Sequence, residues 1–445
     1  MTAETLLTGR GATRRRYIYT LWTNYVRNGN LSRLDRWLAH YMRRFPQFGK
    51  RDRAAYADAI FAMARFSGPA LVFEHAFAAG AGTAKRLEDA WQSRWPRAES
   101  DWRQALAETS PETLLYWVEV LSESQTGGTD DAVEKRRAWL NGIKTNIPDG
   151  LGRLIAAGIP PFLAPVLQER VSLSTWDDAA RTKFLSNLQR RPPLWLRVLR
   201  RDVCDRVVHE LRCRGIEPRV SGSAIAVAGD ANIRGLDAYR KGLVEIQDLA
   251  SQAIVEKLGA QAGDYIWDAC AGGGGKTVAV ASMLGASGMV YASDIREYKL
   301  DELQERARRA GLGNIRAFAA DATQVRQWDR EILRRGGFDR VLIDAPCSES
   351  GRWRRSPDAR WRTSNESVER HACLQSRLIS ACASAVRPGG ILAYTTCSWL
   401  PAENEHIAEH FLSHNSGWTV QRMGMLGSPD EDADSMFAAI LRRNN

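Results

Sequence analysis

Three observations predict a multidomain protein with an all-α N-terminal domain, a small α/β segment and a C-terminal doubly wound, Rossmann-like α/β domain. Apolar residues recur at helical steps up to about residue 190, strands alternate with helices from about 240 onward, and a Pro-Pro pair at 192–193 divides the two patterns. At 445 residues, 44% hydrophobic and 26% charged, the chain is too long for one core and apolar enough to bury several. The expected boundaries are residues 1–190, 191–240 and 241–445.

In the first region Leu31, Leu34, Trp37, Leu38, Tyr41, Met42 and Phe45 fall at steps of three and four, with Arg33, Arg36, Arg43 and Arg44 on other faces. This predicts an amphipathic helix with a basic rim, and its tryptophans read as packing. The run from Ser122 to Asp131, with Gly127 and Gly128, reads as a loop. After Pro193, Leu194–Val198 reads as a strand, Arg200–Arg214 as a helix and Ser223–Ala228 as a strand. Further on, strands are expected at Tyr265–Cys270, Met289–Asp294, Ile315–Ala319, Arg340–Ile343 and Ile391–Thr395, and helices at Glu297–Ala310, Asn365–Val386 and Pro401–Leu412. A sheet of this kind collects its ligands outside the carboxyl ends of its strands.

Composition narrows the function classes. No apolar run approaches the ~18 residues of a membrane span, and Arg10, Arg14, Arg15 and Arg16 are not followed by the apolar stretch of a secretory signal. A cytoplasmic protein with no membrane association is the expectation, and a monomer is the expected state. The seven cysteines include no C-x-x-C pair, which argues against a disulfide framework or a zinc ribbon. Lys and Arg number 62 against 52 acids, a net charge of +10 that favours a polyanionic partner or an anionic membrane surface, and charge alone does not choose between them.

The first strand of the C-terminal region ends in Asp268-Ala-Cys270-Ala271-Gly272-Gly273-Gly274-Gly275-Lys276-Thr277. Four glycines clear side chains from the backbone, so the amides at the next helix start can face a carboxylate or phosphate. A nucleotide triphosphatase loop would need glycine where Cys270 stands, so that pattern is one residue short, although Val341 to Asp344 could pass for its metal-holding strand. Asp294 ends the next strand, where a carboxylate can accept from both hydroxyls of a ribose, and Asp321 follows the third, placed for an adenine edge. Ribose, adenine and a small carboxylate-bearing tail describe S-adenosylmethionine better than a triphosphate.

Two cysteines emerge at the same edge, Cys347 in Asp344-Ala-Pro-Cys347 and Cys397 in Thr396-Cys397-Ser398. Beside a methyl donor, such thiols suit methylation of a pyrimidine at C5, because that carbon becomes nucleophilic only after a thiolate adds to C6. These segments, with Glu245-Ile-Gln-Asp248, resemble the RNA cytosine-C5 methyltransferases of the RsmB (Sun/Fmu) type over about residues 190–445. The resemblance implies Cys397 as nucleophile, Cys347 as the residue that assists product release, and Asp344 as a cytosine contact. It places S-adenosylmethionine on Cys270, Ala271, Gly272, Gly273, Gly274, Gly275, Lys276, Asp294, Asp321 and Asp344, with no metal. The product would be 5-methylcytosine in RNA, ribosomal RNA first and transfer RNA second. The helical first half resembles the NusB-like RNA-binding domain attached to such enzymes. Two glycines, 272 and 273, stand where the family has Ala and Pro, and Glu349 stands where it commonly has Gly.

Two clusters complete the reading. His406-Ile-Ala-Glu409-His410 fits a zinc-peptidase pattern on one helix face, but no further ligand accompanies it. Arg352, Arg354, Arg355, Arg360 and Arg362, with Trp353 and Trp361 among them, are expected to contact RNA.

Overall fold

The computed structural model describes residues 9–28, 33–122, 130–146, 149–229, 231–324 and 328–445. Leu31 and residues 123–129 of the expected loop from Ser122 to Asp131 lie outside them. The chain forms two compact units, Met1–Arg191 with Arg352–Asn365, and Pro192–Gly351 with Glu366–Asn445.

The first unit is helical. Its long helix Lys50–Ala78 buries Ile60, Met63, Phe66, Val72 and Phe73 against Trp22, Trp91, Trp102 and Trp117 of other helices. Glu74 fixes two neighbouring helices, Pro111–Leu121 and Asp131–Asn146, by accepting from Trp117 Nε1 at 2.6 Å and from Arg136 Nη2 at 2.7 Å.

The Arg-rich cluster departs from expectation, because its aromatic and much of its basic side-chain surface is buried. Trp353, Arg354, Arg360 and Trp361 are at most 2% exposed. Trp361 sits in the helical core and donates to Ser67 Oγ at 3.0 Å. Arg360 donates to the carbonyls of Arg65 at 3.0 Å and Ala157 at 3.2 Å, and burial holds its pKa down, to about 9. A buried guanidinium is tolerable here because backbone oxygens receive its protons. Gly158 makes the room: it has φ +73°, and a Cβ there would lie 2.1 Å from Arg360 Nη1. Asp358 accepts from Leu34 N at 3.2 Å and from Arg362 Nη1 at 2.9 Å. Trp353, Arg354, Arg360 and Trp361 form an internal plug of the helical unit, while Arg352, Arg355 and Arg362 stay partly exposed.

The second unit holds two sheets. The smaller has order β2-β3-β1-β4, all antiparallel, from β1 (Leu194–Val198), β2 (Arg219–Ser221), β3 (Ala224–Val227) and β4 (Val244–Ile246). The larger is built from β5 (Tyr265–Asp268), β6 (Met289–Asp294), β7 (Ile315–Ala319), β8 (Phe338–Asp344), β9 (Val386–Thr396), β10 (Trp418–Gly427) and β11 (Ser435–Arg443). Its order is β10-β11-β9-β8-β5-β6-β7, and the five strands from β7 to β9 are parallel. Helices Leu249–Leu258, Gly275–Leu284, Glu297–Arg309, Asn365–Ala383 and Glu405–His414 accompany it.

Parallel pairing brings the carboxyl ends of β5 to β9 to one edge, with the chain reversing direction across the sheet between β5 and β8. The fold is therefore the multidomain arrangement expected, with the Rossmann-like sheet at its C-terminal end. The antiparallel pair β10–β11, which sequence reading missed, completes the sheet beyond β9. Among the described residues no helix is long and apolar enough to cross a membrane.

Candidate active site at the strand ends

Register determines which side chains meet. Asp344 pairs with Thr395, so β8 and β9 leave the sheet at the same level and put Cys347 and Cys397 just beyond it. Their sulfurs are 3.2 Å apart, too far for a disulfide and close enough for an S–H hydrogen bond. The two loops are joined further by Gly351 N donating to Cys397 O at 2.9 Å and by the Ser350 and Ser398 hydroxyls at 2.9 Å. Gly351 has no alternative, since a Cβ there would lie 1.8 Å from the Ser435 carbonyl oxygen.

The pair is asymmetric. The hydrogen bond with Cys397 pushes the Cys347 thiol well above its ordinary range, and burial and the neighbouring Cys397 and Glu403 charges add to this. The backbone N–H of Glu349 acts in the opposite direction. Glu349 holds φ +57°, a left-handed conformation that suits glycine, the residue its position was expected to prefer. Cys347 thus keeps its proton beside a second sulfur.

Glu403 anchors this arrangement and was missed by sequence reading. Fully buried, it accepts from Ser348 N at 2.8 Å and from Ser348 Oγ at 2.6 Å, and His371 Nδ1 lies 3.6 Å away. Gln375, one helical turn beyond His371, donates to Pro346 O at 2.8 Å. Cys347 is therefore gripped on both sides in sequence. Asn404 does the same for the other loop, accepting from Thr396 Oγ1 at 2.6 Å and donating to Ser398 O at 2.9 Å. The only sequence signal was their place two turns of chain after Cys397, which periodicity assigned to a helix; Pro401–Glu403 is instead a short 3₁₀ turn before Glu405–His414.

The glycine loop leaves β5 on the same edge. Ala271 N donates to Ser293 O at 2.9 Å and Gly272 N to Asp294 Oδ2 at 2.9 Å. Gly272 and Gly274 have φ +52° and +79°, and Gly274 opens the helix Gly275–Leu284. Lys276 reaches back to Asp344 Oδ2 at 2.6 Å, and Thr395 Oγ1 lies 3.3 Å from Asp344 Oδ1, which links the loop to the thiol strands. This pair takes the lysine that a triphosphate loop would present to phosphate.

The acids of the series differ. Burial raises Asp268 to about 7 against the hydrogen bond from Thr277 Oγ1 at 2.7 Å, and its other oxygen, Oδ1, is buried with no partner. Burial would also raise Asp294, but bonds from Arg296 and Gly272 together hold its carboxyl below the ordinary range. Beside it Ile295 is 72% exposed, a flat apolar surface next to a carboxylate. Asp321 lies at the surface beyond β7, held low by Thr323 Oγ1 at 2.7 Å and Thr323 N at 2.9 Å. Cys270 belongs to the loop, but burial, with Cys382 nearby, pushes its thiol well up.

All the nominated residues thus lie along one sheet edge, with Cys347, Cys397, Asp344 and Lys276 in one connected group, Asp294 bonded to the glycine loop, and Asp321 farther out. His406 and His410 are exposed on Glu405–His414, and no group of three His, Cys, Asp or Glu able to hold a metal occurs among the described residues.

Residues 255–439 match the family described as 16S rRNA methyltransferase RsmB/F. A curated relative, ribosomal RNA small subunit methyltransferase B of Enterobacter sp. (strain 638), is 33% identical over 262 residues, 56% of this chain and 60% of that protein. Its namesake from Klebsiella pneumoniae subsp. pneumoniae is 31% identical over 298 residues, 64% of this chain and 66% of that protein. The chain thus spans about 60% of the length of the first of these relatives. Among solved structures, PH0851 covers 96% of this chain and 99% of its own at TM-score 0.68 and 20% identity. NSun6 from Pyrococcus horikoshii with SFG covers 63% of this chain and 98% of its own at TM-score 0.54 and 17% identity, a likeness of fold.

Proposed function

With residues 255–439 forming a methyltransferase domain of the RsmB/F type, we propose that this chain is an S-adenosylmethionine-dependent methyltransferase of ribosomal RNA that makes 5-methylcytosine through a covalent cysteine adduct. The observation that supports this most is the contact of two unequal thiols, Cys347 and Cys397, at the strand ends that also bear the glycine loop.

The residues at that loop fit the donor. The Asp294 carboxylate can take ribose hydroxyls once the half-exposed Arg296 guanidinium swings off it, exposed Ile295 offers an apolar face to a purine, and the Asp268 carboxyl keeps one buried oxygen, Oδ1, open to a partner. When bound, S-adenosylmethionine supplies the electrophilic methyl group that cytosine C5 accepts.

The chain's own residues do the rest. Cys397 Sγ adds as thiolate to C6, and the electron pair moves to C5, which becomes nucleophilic. Asp344, partly exposed and steadied by Lys276, can accept from the exocyclic amine or steady a protonated ring nitrogen. After C5 is methylated a base removes its proton, the pair re-forms the ring double bond, and the C6–S bond breaks. Cys347, which holds its proton 3.2 Å from the departing sulfur, can donate to the thiolate as it leaves. The base must leave its stack to reach the thiols, so a loop or opened helix suits as substrate. Bisulfite sequencing of ribosomal RNA from a deletion strain tests the reading: one cytosine should lose its mark and regain it with wild type but not with Cys397→Ala. A mark that Cys397→Ala restores refutes it.

A further inference from the structure

Four consecutive glycines have the widest backbone freedom of any tetrapeptide, so an unsupported loop at 272–275 would have to be ordered at the expense of donor affinity. Here the order is imposed from outside, by the helix Glu297–Arg309. Leu303 lies directly on Gly274, where a Cβ would be 2.5 Å from Leu303 Cγ, and Arg306 Nη1 donates to the Gly273 carbonyl at 2.9 Å.

Arg306 is not free to swing. Its Nε donates at 3.0 Å to Glu245 on β4, a carboxylate 1% exposed that also pairs with Arg309. Arg309 in turn lies over the Tyr239 ring at 4.2 Å. Gln247, on the same short segment as Glu245, donates to the Gly275 carbonyl at 3.2 Å. Two carbonyls of the loop are therefore fixed by side chains rooted in residues 245–247 and 306, outside the loop's own sequence.

We propose that Arg306, held by Glu245, is a positioning residue for methyl-donor binding, replacing from outside the stiffness that alanine and proline would give the loop from within. The inference rests on the reading of that loop as the S-adenosylmethionine site. A strut through Arg306 keeps the competent loop conformation populated, and a loop that is competent for only a fraction of the time weakens apparent affinity by that fraction.

The test is S-adenosylmethionine binding by equilibrium dialysis, with donor and RNA KM values measured separately. Arg306→Met keeps the aliphatic stem and removes the donors, and should weaken donor binding roughly tenfold, leaving the KM for RNA where it was. Glu245→Gln, which keeps shape and releases the guanidinium, should move donor binding in the same direction by less. Adding Gly273→Pro to Arg306→Met should recover much of the loss. Gly273 is outside the left-handed region, its N–H has no acceptor among the described residues, and a Cβ there would lie 2.9 Å from the flexible tip of Glu302 and 3.9 Å from Glu302 Cβ and from Arg306 Nη1, the last of which Arg306→Met removes. Unchanged donor affinity in Arg306→Met, an equal rise in both KM values, or a loss that Gly273→Pro leaves untouched overturns the proposal. Wild-type protein that takes up no S-adenosylmethionine would instead overturn the donor-site reading beneath it.

Discussion

Alanine at Gly274 and at Gly272 should have very different effects, although the two glycines share a loop and a left-handed backbone. Each substitution forces an L-residue into that region at about 1–2 kcal/mol, partly offset by about 0.4–1 kcal/mol from a stiffer unfolded chain. At Gly272, with φ +52°, the nearest atom to a new Cβ is Arg296 Nη2 at 4.0 Å, so nothing further is added. At Gly274 the Cβ meets Leu303 Cγ at 2.5 Å, Cβ at 2.8 Å and Cα at 3.1 Å, and the Cα belongs to a helix that must itself shift. Overpacking of that kind adds about 1–3 kcal/mol. The net losses are then about 1 kcal/mol for Gly272→Ala and about 3 kcal/mol for Gly274→Ala. For a unit of this size those correspond to falls in melting temperature of roughly 2–4 °C and 6–12 °C. Thermal unfolding of the full chain, followed by circular dichroism with and without S-adenosylmethionine, reads the difference. Equal losses at the two positions would refute the packing of Leu303 on the loop.

Three further outcomes follow from two buried carboxyls. Asp268 has its folded pKa raised by burial to about 7, above the ordinary 3.8, so the folded state holds this proton more tightly. The stability it contributes is present below about pH 4 and is lost as pH rises towards 7, by at most about 4 kcal/mol. Asp268→Asn should remove that slope from the melting curves of donor-free protein, and an unchanged pH profile would contradict it. Glu403→Ala strands the buried N–H and hydroxyl of Ser348 and should cost about 2–4 kcal/mol in urea unfolding. Glu403→Gln, with the charge gone but the shape kept, should lower the pH at which Cys347 alkylates, because the Glu403 charge is among the causes holding that thiol up.

Much of this arrangement was legible in the residues. Met289–Asp294 and Ile315–Ala319 form strands over the spans that composition and turn residues indicate, because each is a short β-rich run between clear breaks. The strand-end acids, glycine loop and two thiols were found by position. What escaped depends on distant partners. β11 runs Ser-Met-Phe-Ala-Ala-Ile-Leu, buried between β9 and β10, and a continuous apolar run cannot be told from helix by periodicity. The Arg352–Arg362 cluster has the composition of an RNA surface, and only the carbonyls of Arg65 and Ala157 show that Arg360 is satisfied internally. Glu403 sits in no chemical motif, and its role exists only because the chain folds Ser348 onto it.

The division of labour between the thiols is the claim on which the rest depends. Cys347→Ala and Cys397→Ala, each expressed in cells and run on a denaturing gel with and without ribonuclease, test it most directly. Cys347→Ala should give a slower, ribonuclease-sensitive band, an RNA adduct that cannot release, and Cys397→Ala should give none. An adduct in Cys397→Ala, with none in Cys347→Ala, would contradict the account.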